Sequence, residues 1–125
     1  MREIKFRGKY GNNQWIYGSL VAKNRNNNGI QAQNSSVAIL VDDGSVGQYT
    51  GVHDSNGKEI YEGDIVVNAR GECYVVKFIE KYARFSFWKP DIVFASGLID
   101  HGNFCVMGNI WENPEMLGGV NDERD

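Results

Sequence analysis

A chain of 125 residues with 42% hydrophobic and 12% aromatic content is long enough to bury a core without metals or disulfides. No apolar run approaches the roughly 20 residues that a membrane-spanning helix requires. The net charge of −3 conceals two basic blocks, each +3, over residues 1–10 and 70–89, and an acidic carboxyl end of −6 over residues 91–125; such asymmetry orients partners or aids solubility.

Alternation rather than helical periodicity runs through the chain. Ile4, Phe6 and Gly8 alternate with Glu3, Lys5 and Arg7, which predicts a half-buried strand over residues 2–8. Tyr10-Gly11-Asn12-Asn13 supplies turn residues, and Trp15, Tyr17, Leu20 and Val21 resume β composition, so a hairpin is expected. Residues 23–36 are polar and asparagine-rich, with Ile30 and Ala32 alone to offer a core, and read as an exposed loop. Ser36 to Val41 forms a short apolar run stopped by Asp42-Asp43-Gly44, and Val46 to Tyr49 a further short strand.

The second half is denser. Ile60 and Ile65 to Val67 lead into the turn Ala69-Arg70-Gly71-Glu72 and the run Cys73 to Ile79, a second hairpin. Residues 83–88 alternate again until Pro90, which removes a ladder donor and marks an end or an edge. Residues 92–98 are ambiguous, and 103–111 make the last strand. Asn113-Pro114 begins a helical turn with Asn113 as cap, followed from Gly118 by an acidic tail.

The candidate chemistry is thin. In Asp54-Ser55-Asn56-Gly57-Lys58 the Asn-Gly pair suits a tight hairpin turn; as a calcium loop its glycine comes too early and no bidentate carboxylate follows at the required distance. Glu62-Gly63-Asp64 reads as a bend in which Asp64 satisfies backbone donors, not as an acid-base pair. His53-Asp54 and Asp100-His101 are the only His-carboxylate neighbours, and no nucleophile elbow, zinc-protease motif or phosphate loop supports them. Cys73 and Cys105 flank aliphatic residues and read as buried free thiols. The expectation is a non-enzyme with no catalytic, cofactor or metal residues. Between Tyr74 and Lys89, aromatic and basic residues interleave, and Lys77, Lys81, Arg84 and Trp88 are the candidate contacts for single-stranded nucleic acid. The competing reading places the aromatics in the core and the cations in water, in keeping with an acidic chain.

Three separated blocks, residues 1–7, residues 48–66 (QYTGVHDSNGKEIYEGDIV) and residues 106–115 (VMGNIWENPE), together resemble the YopX family of phage and prophage proteins. The resemblance spans nearly the whole chain, with Gly8 standing where alanine is common in that family. It implies a small, mainly β protein of Gram-positive phage or prophage origin, located in the bacterial cytoplasm, with a carboxyl-terminal part like an SH3-like barrel. It implies no activity, ligand or site residue.

The resulting expectation is a mainly β fold of two packed β sub-domains. The first is a meander over residues 1–49. The second spans 50–117, built around Ile65, Val67, Val75, Phe78, Phe85, Val106 and Ile110, and residues 118–125 form the tail. The expected function is an accessory module that binds a protein partner or itself, with single-stranded nucleic-acid binding as the alternative; no export signal is evident, so the cytoplasm is the expected location.

Overall fold

The structure is a computed structural model that describes residues 4–24, 27–80, 83–89, 92–93 and 104–117. It is mainly β. The strands are β1 (Phe6–Tyr10), β2 (Gln14–Asn24), β3 (Asn27–Gln31), β4 (Ala38–Val41), β5 (Gly47–His53), β6 (Glu59–Tyr61), β7 (Asp64–Val67), β8 (Cys73–Ile79), β9 (Arg84–Lys89), β10 (Ile92–Val93) and β11 (Cys105–Asn109). Short 3-10 turns occupy Asp43–Ser45 and Pro114–Leu117. Hydrogen bonding orders the strands β4-β3-β2-β1-β5-β6 in one antiparallel sheet and β10-β9-β8-β7-β11 in the other. The chain divides into two compact units, Met1–Gly51 and Val52–Asp125. The expected acidic tail, 118–125, lies outside the described residues.

In the first unit, β1 and β2 form the expected hairpin, with register from Phe6↔Gly18 to Tyr10↔Gln14 and with Gly11 and Asn13 at positive φ in the turn. The predicted exposed loop over 23–36 is corrected. The end of β2 and the whole of β3 lie within it, and β3 pairs with β2 on one side and β4 on the other. Ile30, opposite Leu20 and Ile39, is completely buried. A ladder is built from backbone groups, so asparagines that argue for a loop are accommodated once flanking strands supply partners. After β4 the chain passes the edge of β1: Asp42 N–H donates to the Lys9 carbonyl at 2.7 Å, and Lys9 N–H donates to Ser45 Oγ at 2.8 Å.

In the second unit the apolar cluster is Ile60, Val66, Val76 and Phe85, with Val52, Tyr74, Phe104 and Val106 packed against it. The successive residues Ile65 and Val66, Val75 and Val76, and Phe85 and Ser86 are all buried, so the central strands are covered on both faces. This explains why Ile65, Val75 and Phe85 of the expected core are found inside while their neighbours Val66 and Val76, which period-two reasoning sends outward, are inside as well. Phe78 is 42% exposed, against expectation. It stands near the end of β8 opposite Phe85, which takes the interior position while Phe78 packs on it edge to face at 5.1 Å. The ladders leave this sheet open. β10 is two residues long and β11 pairs with β7 alone in the described ladder, so the barrel closure suggested by the family resemblance is not formed by these strands.

Ser86 and Ser45 are both buried, but only one hydroxyl is employed. Ser45 Oγ accepts from Lys9 N–H and donates to the Asp42 carbonyl, whereas Ser86 Oγ has no hydrogen-bond partner. Ser86→Ala is therefore expected to leave stability unchanged or raise it by up to about 1 kcal/mol, while Ser45→Ala lowers it by about 1–2 kcal/mol. Denaturant unfolding of the two variants checks this, and a loss on Ser86→Ala equal to that on Ser45→Ala would refute it.

Candidate binding cleft and the predicted site residues

The first unit carries an open cleft of 410 Å³ walled by Ile4, Lys5, Gly18, Ser19 and the segment Gln31 to Ser35. Its geometry begins with a close approach of two strands. A Cβ on Gly18 would lie 2.0 Å from the Gln31 carbonyl oxygen, so only glycine lets β2 come this close to the end of β3. Beyond β3 the chain reverses in a turn closed by Ser35 N–H donating to the Ala32 carbonyl, with Asn34 at φ +67°. Asparagine tolerates this left-handed conformation better than most residues. Gln31 Nε2 donates to the Ser35 carbonyl at 2.6 Å and braces the turn from inside, while Ser35 Oγ accepts from Val37 N–H. Ser19, Gln33 and Asn34 thus present a hydroxyl and two carboxamides from a fixed frame. Lys5, whose Nζ lies 5.3 Å from the centre of the Tyr49 ring, is the cation of the wall, and Ile4, 71% exposed, is its apolar lip. Sequence reasoning missed this cleft because most of its wall falls in the segment read as a loop.

The carboxylates singled out in the sequence are committed to backbone amides. Asp54 Oδ1 accepts from Asn56 N–H and Lys58 N–H, each at 2.8 Å, and Oδ2 accepts from Val106 N–H at 2.9 Å. Burial pushes this carboxyl up, but the three amides and the nearby Lys58 charge outweigh it and hold Asp54 below the ordinary carboxylate range. Gly57, at φ +85°, completes the turn that the Asn-Gly pair announced. Asp64 is buried and its Oδ2 accepts from Tyr61 N–H at 2.7 Å, across Gly63 at φ +94°. Among the described residues, no group of three His, Cys, Asp or Glu side chains is arranged to hold a metal ion. His53 is exposed, and His101 lies outside the described residues.

Both cysteines are half-buried free thiols, not the buried ones expected. Each lies opposite Val67, Cys105 from β11 and Cys73 from β8, which sets them two strand spacings apart, roughly 9–10 Å, beyond disulfide reach. Cys105 Sγ lies 2.9 Å from Ser55 Oγ and receives a long contact from Asn56 Nδ2, so it helps seat the 54–58 turn. The turn expected after Asn113 begins at Pro114, with Met116 N–H donating to the Asn113 carbonyl, while Asn113 Oδ1 accepts from Asn109 N–H and so reaches back to β11.

Of the candidate nucleic-acid contacts, Lys77 and Arg84 are half-buried, Trp88 is placed in β9 opposite Val75, and Lys81 lies outside the described residues. The register Val75↔Trp88, Lys77↔Ser86 and Ile79↔Arg84 gives these positions the same alternation as the buried Val75 and Ser86. Arg84 Nε is itself buried. Among the described side chains of this segment, Phe85 is buried, Tyr74 is half-buried and Phe78 is exposed. Among the described residues, no helix is long and apolar enough to cross a membrane.

No curated protein matches the chain. Its fold is similar to that of protein EF1440 from Enterococcus faecalis, known from a crystal structure, with a TM-score of 0.61 and 23% identity over 94% of this chain and 99% of that one. At that identity the likeness concerns the fold alone. The YopX protein family model matches residues 5–118, nearly the full length, with the second and third blocks noted above and the end of the first, and the chain belongs to the YopX family.

Proposed function

We propose that this protein is a non-enzymatic accessory module of phage or prophage origin that acts in the bacterial cytoplasm by binding a protein partner. The observation that carries this reading is the cleft in the first unit. Its wall combines carboxamide and hydroxyl groups, which both donate and accept hydrogen bonds, with one cation and one apolar lip, a combination suited to the alternating donors and acceptors of an extended peptide. The commitment of Asp54 and Asp64 to backbone amides supports the non-catalytic part of the reading, because neither carboxylate is left to move a proton.

Copurification of the tagged protein from phage-infected cells tests it, comparing the wild type with a Ser19→Tyr, Gln33→Ala variant that fills and strips the cleft. A partner retained by the wild type and lost by at least about tenfold in the variant, with unchanged circular dichroism and melting, is the expected result. Loss instead on Lys77→Glu with Arg84→Glu, together with sensitivity to nuclease and to salt, would replace this reading with nucleic-acid binding.

A further inference from the structure

The sheet of the second unit has two faces of different chemistry. Val66, Val76 and Phe85 carry the apolar cluster on one. Alternation along the register Val75↔Trp88, Lys77↔Ser86 and Ile79↔Arg84 puts Lys77, Arg84 and Ser86 on the other, beside Val75. Along this second face burial falls off away from Val75. Val75 and Ser86 are 1% and 0% exposed, Lys77, Ile79 and Arg84 are half-buried, and Ala83, just before β9, is exposed. Ser86 thus lies where the covered part of the face gives way to the accessible part, and its hydroxyl has no hydrogen-bond partner there.

Two features of this corner oppose folding. A buried hydroxyl without a partner gives up its hydrogen bonds to water and makes none in exchange. Lys77 and Arg84 are diagonal neighbours across the ladder, about 7–8 Å apart at their backbones, and like charges repel at that range. No ladder position on this face of β7, β8 or β9 is acidic. One ligand relieves both features: an anion with several acceptor oxygens takes the Ser86 O–H as donor and lies between the two cations. Departures from folding rules of this kind concentrate at functional sites.

We propose that Ser86, Lys77 and Arg84 bind a terminal phosphate group, either inorganic phosphate or the monoester end of a small molecule. Near pH 7 such a group carries about −1.5 to −2 charge, which matches the two cations, and three acceptor oxygens, one for each side chain. The floor position of Ser86 selects an end group. An end-on phosphate reaches the hydroxyl when the long flanking side chains change rotamer, a fast motion, whereas a phosphate inside a nucleic-acid strand is held off by the sugars on either side of it. The site lies in the second unit and the cleft in the first, so this inference goes beyond the protein-partner reading and each can fail alone.

Calorimetric titration of the full chain at constant ionic strength is the test, with inorganic phosphate, thymidine monophosphate, thymidine, and an oligothymidylate lacking a terminal phosphate as probes. The expected result is saturable binding of phosphate or of the monophosphate and none of thymidine. Phosphate binding with the monophosphate excluded assigns the free anion, and equal or tighter binding of the monophosphate assigns a monoester. Ser86→Ala should weaken binding at least about fivefold and Lys77→Gln at least about tenfold. Ser86→Ala should do so without lowering the unfolding midpoint, which separates a ligand contact from a structural one. Should Lys77→Gln fold poorly, the wild type supplies a second reading: the amide resonances of Lys77, Arg84 and Ser86 should shift with phosphate and not with equimolar chloride. Absence of saturable binding, binding that Ser86→Ala leaves unchanged, tighter binding of the oligothymidylate than of the monophosphate, or phosphate-induced shifts confined to other residues would each overturn the proposal.

Discussion

Asp54→Ala should destabilise the second unit by roughly 2–4 kcal/mol. The size follows from what the carboxylate holds: the turn amides of Asn56 and Lys58 through one oxygen, and the strand amide of Val106, 52 positions away, through the other. Removing it leaves three backbone donors without their acceptor at a residue only 7% exposed. Asp54→Asn should recover a minor part of the loss, because the amide keeps one acceptor oxygen but no charge. The same carboxylate predicts an acid limb. Its folded-state pKa lies below the ordinary 3.8, so its stabilisation is fully present above that value and disappears as pH falls through the lower folded value. Denaturant unfolding from neutral pH down to about pH 2 should show the wild type losing stability over that acid range, with the loss reduced in Asp54→Ala. An identical acid limb in wild type and variant would refute the assignment.

Gly63→Ala is expected to cost about as much, for a steric reason. The residue sits at φ +94°, where a Cβ is strained, and an added Cβ would lie 2.3 Å from Trp111 Cη2. The backbone cannot shift easily, since Gly63 N–H donates to the Val76 carbonyl and the Gly63 carbonyl accepts from Ile110 N–H, tying the bend to the end of β11 and to β8. Strain of about 1–3 kcal/mol and overpacking of similar size give an expected loss of roughly 2–5 kcal/mol. Trp111→Ala removes the clash but not the φ penalty. In that background Gly63→Ala should therefore cost at least about 1 kcal/mol less than in the wild type, while remaining destabilising. Equal costs in the two backgrounds would show that the indole is not the obstacle.

These two positions also show what was legible in advance. Asn56-Gly57 and Glu62-Gly63-Asp64 announced their turns because glycine and short acidic side chains have local conformational consequences that need no partner. The strands of the second half were legible for a similar reason, as runs of β-branched and aromatic residues. The candidate site was not. Its wall comes from β2, the end of β3 and the turn after it, in a stretch whose asparagines and serines carry no periodic signal. Gly18 was the one available clue, and a glycine in a strand states only that something approaches closely, not what.

In the basic-aromatic segment the sequence located the strands but not their faces: the ladder between β8 and β9 sets Lys77 and Arg84 in the same alternation as Ser86, which is fully buried.

By itself, the sequence determined that this is a mainly β protein of the YopX family, and it located the turns around Asp54 and Gly63. Those properties follow from composition, short-range alternation and local backbone freedom. Tertiary structure alone decided that β3 is a buried central strand, that Val66 and Val76 join the core, and that Asp54 reaches Val106. Each depends on which strands become neighbours, and neighbour choice is made by pairing over long separations, where no single segment carries the information.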